Sequence, residues 1–208
     1  MGLSRVSSQA WQSGNYKDNN MTSLLKRYPL PVIVLAQLVG TSLWFSINGV
    51  WQSLAAELGL AESDLGRLTL SVQAGFIAGT LALAVTGLAD RFGASRIFLV
   101  SSLLGALANA AFVTVAGVFP LDSLLRFATG LCLAGIYPLG MKLVIAWTPK
   151  YAGAGLAWLV GMLTLGTALP HLMRGATSGM PWEWPLFASS CLALLGGLLV
   201  FLLGDGPH

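Results

Sequence analysis

Charge is what this chain has least of. Only 9% of its 208 residues are Asp, Glu, Lys or Arg, against about 25% in a soluble domain. With 55% apolar residues and a mean hydropathy of +0.75, a water-soluble globule is excluded. Cysteine is nearly absent as well. Cys132 and Cys191 both fall in apolar segments, where each reads as a small packed hydrophobe rather than half of a disulfide or metal site. No run of Lys or Arg makes a stripe that tracks phosphates, and the formal charge is only +3, so a nucleic-acid partner is dismissed. The 25 glycines show no collagen period and no Gly/Ser linker run; in so apolar a chain they let lipid-embedded helices approach closely. Neither a nucleophile elbow, an Asn-Pro-Ala pair, a metal-ligand cluster nor a phosphate loop occurs, so no enzyme activity and no cofactor are expected.

What the chain does have is apolar length. A bilayer crossing takes roughly 20 residues, and the runs read as six spans at about 30–51, 68–89, 97–119, 123–147, 153–173 and 184–203. In lipid each is a helix, because every backbone polar group must be satisfied internally and no alternating barrel pattern competes. The expected fold is therefore all-α: a polytopic six-helix transmembrane bundle over 29–204. It is preceded by a polar tail at 1–28 that reads as disordered or surface-lying, and it ends in a polar exit at 205–208. The tail has neither the apolar core nor the small-residue cleavage site of a signal peptide. Arg5, Lys17, Lys26, Arg27, Arg91, Arg96 and Lys150 gather on one side and only Arg67 and Arg174 on the other. That bias predicts both termini on the cytoplasmic face of the cell membrane. No sequence repeat relates spans one to three and four to six, although inverted repeats in transporters leave only faint symmetry.

Polar residues inside the spans are the candidate functional groups. On the first span Gln37, Thr41, Trp44 and Asn48 recur at helical spacing and form one stripe. They read either as interhelical glue or as a cavity wall, and a stripe through the full depth of the span favours the wall. Arg126 lies a turn inside the fourth span, where an arginine costs roughly 2.5–3.5 kcal/mol. Gly130, Leu133 and Tyr137 continue its face. It reads as an anion site or charge relay, with a clamp on backbone carbonyls as the structural alternative. Lys142 lies about 160° round a straight helix from Arg126 and reads as snorkelling to the interface beside Trp147. In the fifth span Gly161, Thr164, Ala168 and His171 share a face interrupted by Pro170. An unperturbed imidazole changes charge near physiological pH, which would suit a proton site, but a packed or interface-facing ring explains His171 equally well. The candidate substrate-binding set is Gln37, Thr41, Trp44, Asn48, Arg126, Tyr137, Thr164 and His171, with no metal ligand.

Between spans two and three the chain reads Gly87-Leu88-Ala89-Asp90-Arg91-Phe92-Gly93-Ala94-Ser95-Arg96. This resembles the loop signature of the major facilitator superfamily, in which Asp, a basic residue, a spaced Gly and further basic residues follow an earlier Gly. Asp90, Arg91, Gly93 and Arg96 match. Gly87 stands three residues before Asp90 rather than four, and Ser95 replaces the first of the closing basic pair. Arg126 with Gly130 resembles the family's R-x-x-x-G element, and Gly153 follows a helix connection of the expected kind, with Ala152 where the family often has arginine. Gly161, Gly166 and Pro170 match the antiporter motif only loosely, so antiport is not implied. The resemblance covers about 29–204, the first six of the family's usual twelve helices. It implies half of a 3+3 inverted-repeat fold in a half-length secondary active transporter, moving a small polar or anionic solute by alternating access. Asp90, Arg91, Gly93 and Arg96 would form a conformational latch, a charge-assisted network that breaks when helices rock apart. The partners implied are the lipid bilayer, the solute and a second six-helix half or a homodimer; a coupling proton is left open. The alternative reading is a non-transporting subunit or truncated remnant that only packs with a partner bundle.

Overall fold

The computed structural model describes residues 20–168, 172, 175 and 180–207, and among them every regular element is helical. In chain order these are α1 (Asn20–Arg27), α2 (Pro29–Phe45), α3 (Trp51–Leu58), α4 (Glu62–Thr86), α5 (Leu88–Arg91), α6 (Ala94–Val115), α7 (Leu121–Ala134), α8 (Tyr137–Trp147), α9 (Ala152–Gly166) and α10 (Glu183–Leu203). Four described stretches are long and apolar enough to cross a membrane: Glu62–Thr86, Ala94–Val115, Leu121–Trp147 and Glu183–Leu203. α2 is apolar but shorter, at 17 residues.

Local chemistry sets the ends of these helices. Pro29 opens α2, where its missing N–H is no loss. The Asp64 carboxylate accepts from the Ala61 N–H at 2.9 Å at the start of α4, and Gly87 closes that helix with φ +62, a left-handed turn that glycine takes without strain.

Three stretches differ from the sequence reading. Residues 20–27, read as the end of a disordered tail, form α1, whose Leu25 packs against the core while Lys26 and Arg27 occupy the last turn, where the helix dipole favours cations. The first span does not continue through residue 51. α2 stops at Phe45 and the chain makes two tight turns, Asn48 N–H to Phe45 C=O and Val50 N–H to Ile47 C=O, before α3 begins. Ser46, Asn48 and Gly49 are residues that favour turns over helix. The fourth span is two helices. Hydrogen bonding drops to a three-residue reach at Gly135 and Ile136, and Pro138 in the first turn of α8 has no N–H to return to Ala134, so a regular helix cannot run through.

The bundle packs α4 on α7, α10 on both α6 and α2, and α9 on α2. One apolar cluster around Ile33, Leu43, Phe98, Leu133, Ile136 and Leu143 fills its centre. A second, around Ile47, Trp51, Leu54, Phe112 and Leu186, fills the end that carries α3. The α4–α7 contact is made backbone to backbone. A Cβ on Gly75 would run into the Phe127 carbonyl, one on Gly79 into Leu131, and one on Gly130 into the Val72 carbonyl. Small residues four apart permit such an approach, and van der Waals packing then holds the pair in lipid.

Gly75→Ala is therefore expected to lower the stability of the detergent-purified chain by about 1–3 kcal/mol or more, since neither facing backbone can yield. Gly66→Ala on the same helix, where an added Cβ meets nothing within 4 Å, should be neutral or slightly stabilising. Thermal unfolding of the two variants checks the contrast.

Candidate functional site

Arg126 on α7 is 2% exposed. Its guanidinium donates to the Trp44 carbonyl at 3.0 Å, the Leu43 carbonyl at 3.3 Å, Asn109 Oδ1 at 3.3 Å and Ser46 Oγ at 3.4 Å. The two carbonyls belong to the last turn of α2, where backbone acceptors have no helical partner and the dipole end is negative. Asn109 of α6 extends the network. Its Nδ2 donates to the Leu186 carbonyl at 3.0 Å, Ser190 Oγ at 3.1 Å and Ser189 Oγ at 3.3 Å, and its Oδ1 accepts from Ser46 Oγ at 2.8 Å. One buried polar knot thus joins α2, α6, α7 and α10. Its geometry is that of the carbonyl clamp, yet every partner is neutral: among the described residues no ion pair involves Arg126, and its Nε is buried without a partner. Sequence reasoning missed Asn109, a single amide in an Ala-rich run.

The expected stripe on the first span is shorter in the structure. Gln37 and Thr41 are fully buried. The Thr41 hydroxyl donates to the Gln37 and Leu38 carbonyls of its own helix. Neither amide atom of Gln37 has a partner, an omission that costs on the order of 1–3 kcal/mol. Trp44 is half-buried and lies against Phe76 of α4 with ring centroids 4.7 Å apart. Asn48 is exposed in the turn that follows α2, so the stripe ends at Trp44 because the helix ends there. Tyr137 opens α8 beyond the break, so it does not continue the Arg126 face along a straight helix. Thr164 on α9 is exposed and donates to the Val160 carbonyl. His171 lies outside the described residues.

Each end of the bundle carries its own polar clamp. Arg67 of α4 donates to both carboxylate oxygens of the fully buried Asp122 on α7, at 2.8 and 3.1 Å, and to Asp64 at 3.2 Å. It also donates to the Ser123 hydroxyl and lies over the Phe119 ring, 5.0 Å from its centroid. In the sequence these were only loop charges; the signal available was an acid at one span's start facing an arginine at another's. At the opposite end Lys142 Nζ donates to Asp90 Oδ1 at 2.7 Å and to the Ala89 carbonyl at 2.5 Å. The snorkelling lysine therefore reaches the α5 loop, and its hydrogen bond and charge hold the Asp90 carboxyl below the usual carboxylate range. Asp205 Oδ1 accepts from the Ser95 N–H in the first turn of α6 at 2.6 Å, and the same carboxylate presses on Gly93, leaving no room for a Cβ. Trp147 Nε1 donates to the Gly204 carbonyl at 3.0 Å. A cleft of about 240 Å³ lies between these groups, lined by Asp90, Arg91, Gly93, Lys142 and Asp205 among others. Of the four expected latch residues, Asp90 and Gly93 meet other segments, whereas Arg91 at the end of α5 and Arg96 in the first turn of α6 are exposed.

A family model described as Major Facilitator Superfamily matches residues 33–208, from the first half of α2 to beyond α10. The chain belongs to this superfamily. No curated protein matches it in sequence. Members of the superfamily are transporters rather than enzymes, and the apolar helices agree: this is a multi-pass membrane protein of transporter type.

The two end clamps should respond differently to mutation. Asp122→Ala is expected to cost about 3 kcal/mol, near the low end for a broken buried pair because Arg67 keeps some water and Asp64. Lys142→Ala removes an exposed pair and should leave the unfolding midpoint in place. Heat-induced unfolding of the detergent-purified variants distinguishes them.

Proposed function

We propose that the chain supplies one six-helix bundle of a secondary active transporter that carries a small anionic solute by alternating access. The observation that supports the solute class is Arg126, a buried cation whose partners are all neutral. Dipoles take the hydrogen bonds of its two Nη groups but leave Nε unpaired and its charge uncompensated, and a solute bearing one negative charge is what would compensate it. Trp44, whose carbonyl accepts from Arg126, and the exposed Asn48 both lie at the α2 break and flank the approach. Tyr137, Thr164 and His171 are the further candidates on α8, on α9 and after it, and His171 is the candidate for a coupling proton; Thr41 contributes least, its hydroxyl being turned to its own helix. Asp90 with Lys142, and Gly93 with Asp205, form the latch, with Arg91 and Arg96 on its exposed side.

Alternating access needs a second bundle. Exposed apolar faces on α4 (Leu70, Ile77, Leu81, Val85) and α9 (Trp158, Val160, Leu165) are available to it or to lipid. The partner is a second six-helix half or a second copy of this chain. Residues of the α5 loop and both termini face the cytoplasm at the cell membrane, the side the basic residues favour. Reporter fusions after His208 and within residues 55–63 are expected on opposite sides; the same side for both refutes this orientation.

The solute class is tested with gluconate, succinate and phosphate. One or more of them should raise the unfolding midpoint of the detergent-purified chain, by about 2.7 kcal/mol at a hundredfold excess over its dissociation constant. The same anion should be taken up by proteoliposomes with or without an imposed proton gradient. Arg126→Lys keeps the charge but not the planar fork, and should fold yet lose both responses. No response in the native chain overturns the anionic reading and leaves a bundle that only packs with a partner; an equal response in Arg126→Lys overturns the role given to the Arg126 guanidinium.

A further inference from the structure

Gln37 is the polar side chain that the bundle serves least. It sits midway along α2, fully buried, and neither Oε1 nor Nε2 meets a hydrogen-bond partner. A side-chain amide offers two donors and a carbonyl with two lone pairs, so its enclosure forfeits more than the orphaned Ser102 hydroxyl does elsewhere in the core. The wall that encloses it is α8. The Gln37 amide oxygen rests on Gly140 so closely that a Cβ there would collide with it. Only a glycine at 140 lets the two helices shut on the amide.

The helix able to uncover Gln37 can be picked out by what restrains each neighbour. α4 and α7 are locked together by the backbone contacts at Gly75, Gly79 and Gly130 and by the two-bond Arg67–Asp122 pair. α8 has no such lock. It joins α7 through the weakened bonding at Gly135 and Ile136, and beyond that it is tied by the single Trp147–Gly204 hydrogen bond at its far end and by Lys142–Asp90, whose side chains are 45% and 83% exposed. An exposed pair of that kind holds weakly.

We propose that Gln37 faces the solute in a second conformation, reached when α8 swings away from α2 about the Gly135–Ile136 break, and that its amide there takes an uncharged hydroxyl, carbonyl or amide of the solute. The contact rests on the transport reading above, whereas the motion does not. Gln37 is then a specificity-determining residue, because a solute without such a group leaves the amide unpaired. It lies six to seven residues before the carbonyls held by Arg126, about 10 Å along the helix axis. A hydroxylated acid of about six carbons would reach from one to the other.

The motion is read by thiol accessibility in membranes holding the full chain with Cys191→Ala. A thiolate in water adds to N-ethylmaleimide, whereas a thiol packed in protein or lipid does not. Gln37→Cys should react at roughly 0.1–10% of the rate of Asn48→Cys, the share of time expected of a minor conformation. Ser102→Cys, on the face of α6 that is closed by Gly197 of α10 rather than by α8, should not react. No reaction at 37, or equal reaction at 37 and 102, overturns the proposal. Gln37→Leu, close in volume and without polar atoms, should raise the unfolding midpoint by about 2–4 °C or more, and a fall overturns the claim that the amide goes unserved in the closed state. In liposomes the same variant should lower gluconate uptake relative to hexanoate by about tenfold, one hydrogen bond's worth; an unchanged ratio overturns the contact. If the native chain carries neither acid, the contact as drawn is overturned, the anionic reading is decided by succinate and phosphate, and labelling at 37 still decides the motion.

Discussion

The bundle is organised around a positive charge that has no countercharge among the described residues. A guanidinium needs several acceptors, and inside a regular helix the backbone carbonyls are already taken by the helix's own N–H groups. Only a helix end leaves carbonyls free. The break after Phe45 and the arginine at 126 are therefore one feature: the first exposes the Leu43 and Trp44 carbonyls, and the second occupies them. Asn109 then carries the network to Leu186, Ser189 and Ser190 of α10. Among helices packed in lipid, apolar contacts alone select register weakly. A shared polar knot selects it strongly, because a slipped helix would strand every member.

The second constraint is where the bundle is allowed to bend. Residues 121–147 make one apolar stretch long enough to span a bilayer, but its two halves are held in opposite ways. α7 lies with its backbone against α4, and Arg67 closes their common end. α8 begins at the joint made by Gly135, Ile136 and Pro138 and is tied beyond it by the exposed Lys142–Asp90 pair and one hydrogen bond from Trp147 to Gly204. A rocking motion in such a molecule runs through the half with the fewest enclosed bonds, and the mid-span joint lets α8 move without disturbing the knot at Arg126.

Composition made the membrane bundle legible, because its charge deficit and apolar runs are averages over many residues. The superfamily was legible too, from Asp90, Arg91, Gly93 and Arg96 at the right place between two spans. Arg126 stood out because a charge in a span is costly wherever it points. What the sequence did not disclose are its partners. Backbone carbonyls carry no residue signature, and the break that frees them lies at Ser46, Asn48 and Gly49, with no proline to announce it. Asn109 was overlooked since one amide in a helix looks like glue until its neighbours are known. Lys142 was read as snorkelling, but its partner was not foreseen: snorkelling and reaching a loop carboxylate begin with the same side-chain direction, and only the position of the α5 loop brings Asp90 into reach.

Two arginines show why the lack of a countercharge at 126 is informative. Arg67, at one end of α4, has a buried carboxylate aligned on both its nitrogens and a second acid beside it, so this fold can neutralise an arginine thoroughly where holding helices together is the whole task. Arg126 is more deeply buried and so has more to gain from a carboxylate. An aspartate in place of Ser46, already within hydrogen-bonding reach of its guanidinium, would supply one by a single replacement. Such a residue would also cancel the net charge that a passing anion could meet. Neutral carbonyls and amides hold the guanidinium in place and leave its charge unspent, an arrangement that suits a site whose missing partner arrives from outside the protein.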